Sequence, residues 1–121
     1  MNKSDLPALR QLAANGQITY TEHVLQRIWE RGYLLSDITT ILTSATNQLI
    51  EVQPPSTDPK KPHKDERIVI SDPMYHPDTA VVICLDFSRP TNPTIVIVTI
   101  EKVADDKWNK CRSNNPWLVR K

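Results

Sequence analysis

The 121-residue chain is poor in cysteine and has no long hydrophobic run, and these shortages exclude several protein classes. Its two cysteines, Cys84 and Cys111, are too few for a disulfide framework. Cys84 lies in an apolar run, where a reduced thiol packs as a small hydrophobe. The apolar runs are far too short to span a membrane, and residues 1–5 lack the apolar core of a signal peptide. We therefore expect a cytoplasmic protein without membrane association.

An excess of charge of one sign is also missing. Lysine and arginine total 15 against 14 acidic residues, which gives a formal net charge of +1. This balance excludes a bulk electrostatic attraction to nucleic acid. Any site for an anion must therefore be a local cluster of cations.

Glycine is scarce, with two residues against ten prolines, so each glycine can be interpreted individually. Gly16 and Gly32 each follow a stretch of helical periodicity, where glycine commonly ends a helix. The first helix is predicted from a cap at Ser4 to Gly16. The second is predicted to end at Gly32 and to begin at a cap on Thr21 or, by capping-box spacing, on Thr19.

The remaining periodicity predicts a short third helix and four strands. Ser36 or Asp37 caps the third helix, whose apolar residues recur at helical spacing. The four strands are rich in β-branched residues and are predicted at 48–52, 67–70, 80–87 and 94–101. Helices followed by strands with short connections indicate an α+β domain: two to three N-terminal helices on one face of a four-stranded, mainly antiparallel sheet.

We expect one domain over residues 1–121, with two irregular parts. Residues 54–66 hold no apolar anchor other than proline and are predicted to be a mobile loop. Its lysines are diluted by acidic residues and are interpreted as solvated. An irregular tail is expected after residue 104. Its tryptophans, Trp108 and Trp117, either dock on the domain or form a partner surface.

The second predicted helix places a charged stripe beside an apolar one. His23, Arg27 and Arg31 follow one another at four-residue spacing, which turns only about 40° per step around a helix. The adjacent, wider arc is apolar and is expected to pack in the core. This arc consists of Val24, Leu25, Ile28 and Trp29.

The charged stripe has the residue types that metal-independent phosphodiester cleavage needs. Histidine titrates near neutral pH and serves as general acid or base for a ribose hydroxyl and a leaving oxygen. Arginine offers a fixed charge whose fork matches phosphate oxygens. The alternative is a solvated helix face, with Arg27 paired to Glu30 or to Glu101.

The end of the last predicted strand holds further candidates for the same site. By alternation, Thr99 and Glu101 share one face and Lys102 takes the other. If the second helix packs on the Thr99 face, these side chains approach His23, and Glu101 then orients the imidazole or acts as a base. The alternative is an ordinary strand end in solvent.

Two other residues are candidates for substrate binding, and the histidines do not suggest a metal site. Arg67 opens the second predicted strand and is a candidate phosphate contact, with a solvated strand start as the alternative. Tyr33 follows Gly32 and is a candidate for stacking on a base, with a partly buried helix end as the alternative. His63 and His76 fall in loops without the short paired spacing of zinc sites.

The pattern Thr21-x-His23-x3-Arg27-x3-Arg31-Gly32 resembles a small prokaryotic family of unknown function. The hallmark of that family is an HxxxRxxxRG helix followed by a sheet that ends in a VVTV-like strand, here Ile97-Val98-Thr99-Ile100. The family is placed near the RelE, ParE and BrnT-like toxins. The resemblance covers roughly residues 19–101. The loop at 54–66 and the tail after Glu101 are longer than the family pattern.

The resemblance implies helices packed on a curved antiparallel, RelE-like sheet and a role in a toxin–antitoxin system. In the RelE branch the activity is metal-independent RNA cleavage, whereas ParE-like members act on gyrase. Two hypotheses follow: an endoribonuclease toxin held in check by an antitoxin, or a non-catalytic module on the same fold that holds a protein partner. Neither requires a cofactor, and a homodimer is left open.

Overall fold

A computed structural model of the chain describes residues 1–60, 65–89 and 91–121, which form an α+β fold. A 3-10 turn at Lys3–Asp5 precedes the first helix. The helices are α1 (Leu6–Ala14), α2 (Glu22–Glu30) and α3 (Leu35–Thr43). The strands are β1 (Ile18–Tyr20), β2 (Gln48–Gln53), β3 (Arg67–Asp72), β4 (His76–Asp86), β5 (Thr94–Lys102), β6 (Trp108–Lys110) and β7 (Leu118–Arg120).

The main sheet has five strands in the order β1-β5-β4-β3-β2. β1 pairs with β5 in parallel, and the other neighbours are antiparallel. The expected four strands are therefore joined by β1, which lies between the first two helices and includes Thr19, the alternative cap of the second helix. Three residues are too few to show a period, and β1 is held by its pairing with the long edge of β5.

Local sequence signals account for both ends of α2 and for the end of α1. The predicted caps of the other two helices are misplaced, because α1 begins at Leu6 after Asp5 and α3 begins at Leu35 after Leu34, not at Ser4 and at Ser36 or Asp37. The Thr21 side chain accepts a hydrogen bond from the Val24 amide and so caps α2, while Thr19 lies in β1. Gly16 and Gly32 have φ of +73° and +72°, the left-handed conformation that ends α1 and α2. α2 therefore begins and ends where the sequence predicts.

Each face of the sheet carries its own hydrophobic core. On one face, the three helices pack on the sheet around Leu9, Ile41 and Ile83. On the other face, β6 and β7 form a two-stranded hairpin whose Trp108 and Trp117 are buried against the sheet. The segment after residue 104, expected to be an irregular tail, thus covers the second face. Its strands are short and polar outside their buried positions, so their sequence shows little periodicity.

The loop predicted at 54–66 joins β2 to β3. In its described part, the side chains of Ser56 and Asp58 accept hydrogen bonds from the amides two residues further on. Residues 61–64 lie outside the described residues, and so do the predictions for Lys61, His63 and Lys64. Within residues 1–60, 65–89 and 91–121, no helix has the length and apolarity that crossing a bilayer requires.

Candidate functional site

The candidate site is built on the free edge of β5. β1 ends at Tyr20, opposite Ile97, but β5 continues to Lys102. Beyond Ile97, that edge of β5 has no strand partner among the described residues. α2 packs against β5, and Arg31 Nη1 donates a hydrogen bond to the carbonyl oxygen of Ile100 at 2.5 Å. The end of α2 is thus fixed to the free edge.

A bulge in β5 changes which residues face the helices. Val82 lies opposite Thr99 and the next residue of β4 lies opposite Ile97, so Val98 is the extra residue. Val82 belongs to the core under the hairpin, and residues directly opposite in a sheet share a face. Thr99 therefore faces away from the helices.

The pairing of β5 with β4 also determines the faces of the sheet on which Glu101 and Lys102 lie. Glu101 lies opposite Ala80, which belongs to the hairpin-side core, so Glu101 also faces away from the helices. Lys102, on the alternate face, is on the side of the helices. The condition that α2 packs on the face of Thr99 and Glu101 is not met, because the bulge at Val98 turns these two residues to the other face of the sheet.

Both sides of the edge nevertheless open into one cleft of about 570 Å³, which we call the edge cleft. It is lined by Arg27, Arg31, Tyr33, Thr99, Glu101, Lys102, Ala104 and Lys107. The helix side and the hairpin side both contribute, since the cleft wraps around the strand edge. Six of the eight candidate site residues from the sequence line it.

The edge cleft is cationic. Its lining includes four positive side chains and one carboxylate, that of Glu101. Within the described residues, none of the four cations forms an ion pair. The pairing of Arg27 with Glu30 or Glu101, considered as an alternative, is not what the structure shows: Glu30 instead accepts a hydrogen bond from Gln26. These charges are therefore available to an anion.

His23 lies one turn before the edge cleft and is linked to it by Arg27. Arg27 Nε donates a hydrogen bond to His23 Nε2 at 3.0 Å. The acceptor in this hydrogen bond is the lone pair of His23 Nε2. His23 does not line the cleft itself, and it does not meet Thr99 or Glu101 directly.

Of the two candidate substrate contacts Tyr33 and Arg67, only Tyr33 lines the edge cleft. Tyr33 packs partly against the core, which agrees with the alternative of a partly buried helix end, and it also lines the edge cleft. Arg67 begins β3, four residues before Ser71. Ser71 is in register with Ala80 and, through it, with Glu101. Arg67 is therefore about 13 Å along the strand from the level of Glu101, and it does not line the edge cleft.

Sequence reasoning missed Lys107 and misplaced Trp29. Lys107 reaches the edge cleft from the turn before β6, and recognising it would have required predicting the hairpin.

Trp29 was expected in the core but is 85% exposed. The buried stripe of α2 is narrower than the predicted arc: Val24 and Ile28 are buried, and Leu25 and Trp29 lie outside it.

The described residues offer no ready metal site. Within residues 1–60, 65–89 and 91–121, no three His, Cys, Asp or Glu side chains are grouped as they would be around a metal ion. The edge cleft contributes cations and one carboxylate, a set suited to an anion.

Comparisons with known proteins give no match: no family model, no curated protein and no solved structure is similar to this chain at a significant level.

Proposed function

We propose that the edge cleft binds the phosphate backbone of RNA and that the chain is a metal-independent, RelE-like endoribonuclease of the toxin–antitoxin type. One observation carries the proposal: four cations, none of which forms an ion pair within the described residues, converge on a strand edge, and one of them, Arg27, donates a hydrogen bond to the imidazole of His23. Arginine forks match phosphate oxygens, and a cationic cleft concentrates an anionic substrate. The resemblance of the α2 motif to the RelE and BrnT-like toxins supports the choice of RNA.

In this proposal, the hydrogen bond between Arg27 and His23 is the resting state of the site. A phosphate bound between Arg27 and Arg31 competes with His23 for the Arg27 guanidinium. His23 Nε2 is then free to accept a proton from the ribose 2′-hydroxyl. Substrate binding and activation of the base are thereby coupled.

The remaining steps use the other wall of the cleft. The 2′-oxygen attacks phosphorus, the bond to the 5′-oxygen breaks, and that oxygen takes a proton from the ammonium of Lys102 or Lys107. Arg27 and Arg31 stabilise the charge that builds on the phosphoryl oxygens. Thr99 and Glu101 offer a hydroxyl and a carboxylate that orient the ribose.

The test is incubation of the purified protein with single-stranded RNA in the presence of a metal chelator. Wild type is expected to cleave, and His23→Ala and Arg27→Ala are each expected to lower the rate by about a hundredfold or more. Arg89→Ala is the matched control, because Arg89 is an exposed cation in the loop between β4 and β5, at the other end of the sheet. Wild-type inactivity, or equal rates for all variants, contradicts the proposal.

A second candidate function, a non-catalytic module that binds a partner protein, is favoured by an apolar surface away from the edge cleft. Leu25 and Trp29 are one turn apart on α2, and Leu34 and Leu35 begin α3; all four are exposed. Exposed apolar clusters of this kind mark protein interfaces. An antitoxin that sequesters the protein is one such partner.

Growth after induced expression separates the two functions. A catalytic toxin arrests the host, and His23→Ala relieves the arrest. A non-catalytic binding module does not arrest the host, and His23→Ala then leaves growth unchanged.

A further inference from the structure

A second cationic cleft lies on the far side of the same end of the sheet. It has a volume of about 550 Å³ and includes Lys3, Arg10 and Arg112, with no carboxylate among its lining residues. The 3-10 turn, α1, the connection from α3 to β2, the turn after β3 and the segment between β6 and β7 all contribute to it. None of its residues belongs to the edge cleft.

The second cleft has a cation that is fixed in place. Arg10 donates from Nε to the side-chain oxygen of Asn47 at 2.8 Å and from Nη2 to the Asn47 carbonyl at 3.1 Å. Asn47 is itself buried and donates to the carbonyls of Ile41 and Leu42 at the end of α3. The bonds to Asn47 leave Nη1 of the guanidinium for a ligand, at little cost in side-chain entropy.

The register of the sheet relates the two clefts. Gln48, Ser71, Ala80 and Glu101 form one row across β2, β3, β4 and β5. Gln48 lines the second cleft and Glu101 lines the edge cleft. Three strand spacings separate them, which is about 14 Å. A few nucleotides of a single strand span such a distance.

An exposed aromatic residue belongs to the turn between β3 and β4, the two strands that lie between β2 and β5 in the sheet. The turn Pro73–Tyr75 joins β3 to β4 at this end of the sheet, and Tyr75 is 68% exposed. Met74 of the same turn lines the second cleft. Cations that hold phosphates with an aromatic ring between them are the usual composition of a surface for single-stranded nucleic acid.

We propose that the second cleft and Tyr75 extend the edge cleft into a track for single-stranded RNA, with a second phosphate subsite at Lys3, Arg10 and Arg112 and a base stacked on Tyr75. The proposal rests on RNA as the ligand of the edge cleft and assigns what holds the strand away from the cleaved bond. The exposed carboxylates Asp78 and Asp106 line neither cleft.

The test is fluorescence anisotropy with labelled RNA that is methylated at every 2′-oxygen, so that cleavage does not intervene. A dinucleotide and an octanucleotide are compared. Arg112→Ala and Tyr75→Ala are each expected to weaken octanucleotide binding about fivefold or more and to leave dinucleotide binding unchanged. Arg112→Ala is also expected to reduce the slope of log K against log salt by about 0.7.

Matched controls come from the opposite end of the sheet. Arg89→Ala removes an exposed cation, and Phe87→Ala removes an aromatic side chain that is 60% exposed, close to the exposure of Tyr75. Both are expected to bind the octanucleotide like wild type. Equal effects of the test and control variants overturn the track, as does an effect on the dinucleotide alone.

The outcome separates the track from the proposed function. RNA cleavage with no contribution from Arg112 or Tyr75 overturns the track and leaves the endoribonuclease. Length-dependent binding that needs Arg112 and Tyr75, without cleavage of unmodified RNA, overturns the endoribonuclease and leaves the track. Absence of any RNA binding overturns both.

Discussion

At the scale of single residues, Asn47 links α1 to α3, a role that no motif in the sequence suggests. Its side chain satisfies two carbonyls at the end of α3 and accepts from Arg10, and the residue is 3% exposed. Buried polar groups that lose their partner retain the cost of desolvation. The sequence offers no signal for this role, because an asparagine after a helix is equally typical of an exposed turn.

We expect Asn47→Ala to lower the free energy of unfolding by about 2–3 kcal/mol, since it leaves two α3 carbonyls and Nε of Arg10 without their partner. Urea unfolding followed by circular dichroism measures this. Asn114→Ala is the control, because Asn114 is exposed, and a change within about 0.5 kcal/mol is expected there. Equal stability of the two variants would refute the role of Asn47.

A second prediction at this scale concerns acid stability and Asp72. Burial acts to raise the pKa of Asp72, but hydrogen bonds, led by that from Thr46 and joined by the Met74 amide, outweigh it and hold the pKa below its ordinary value of 3.8. The unfolded chain therefore binds the proton more readily, so the stabilisation is present above the ordinary pKa and is lost as the pH falls through the folded one.

Asp72→Asn is expected to be less stable than wild type near neutral pH and to lose less stability on acidification. Urea unfolding at about pH 6 and about pH 3 gives both values. Asp106→Asn is the control, as Asp106 is exposed and no other described side chain hydrogen-bonds to it. An unchanged pH dependence in Asp72→Asn would contradict the assignment.

At the scale of elements, the C-terminal hairpin acts as the second layer of the protein. Trp108 and Trp117 are buried on the sheet face that the helices leave open, and the Arg120 guanidinium lies 4.3 Å from the centre of the Trp108 ring. A sheet with one uncovered apolar face would expose Val69 and Val82 to water. The hairpin therefore belongs to the fold and not to a mobile tail.

The packing of the hairpin on the sheet can be tested by truncating one buried and one exposed tryptophan. Trp117 is 2% exposed, and Trp117→Ala is expected to cost about 3–5 kcal/mol of unfolding free energy because it opens a cavity in the hairpin-side core. Trp29→Ala is expected to change stability by no more than about 0.5 kcal/mol, since that side chain faces solvent. Chemical denaturation of both variants measures the difference, and similar costs would contradict the packing described.

The elements also show how far the sequence determines the fold. The central parts of the four long strands follow from runs of β-branched residues. The ends of α2 follow from Thr21 and Gly32. All of these signals are local in the sequence. β1 and the hairpin strands are three residues each and depend on pairing with distant segments. Alternation correctly places Thr99 and Glu101 on one face of β5 and Lys102 on the other. The bulge at Val98 depends on the register with β4, so alternation alone could not decide which of these faces α2 covers.

At the scale of the whole molecule, a near-neutral chain has an uneven distribution of charge. The net charge is +1, yet the edge cleft and the second cleft together place seven cations and one carboxylate among their lining residues at one end of the sheet. The sequence requires an anion site to be such a local cluster. It cannot show which lysines and arginines converge, because Arg31, Lys102 and Lys107 come from a helix, a strand and a turn. What the resemblance to RelE and BrnT-like toxins adds is the choice of RNA.

The central claim, that His23 takes a proton from a ribose 2′-hydroxyl at the edge cleft, is tested most directly by the substrate itself. Two oligonucleotides of one sequence are compared under chelating conditions: all-RNA, and the same strand with deoxyribose at every position. We expect cleavage of the RNA into 2′,3′-cyclic phosphate and 5′-hydroxyl ends, no cleavage of the deoxy strand, and loss of cleavage in His23→Ala. Cleavage of the deoxy strand, or RNA products that His23→Ala forms at the wild-type rate, would contradict the account.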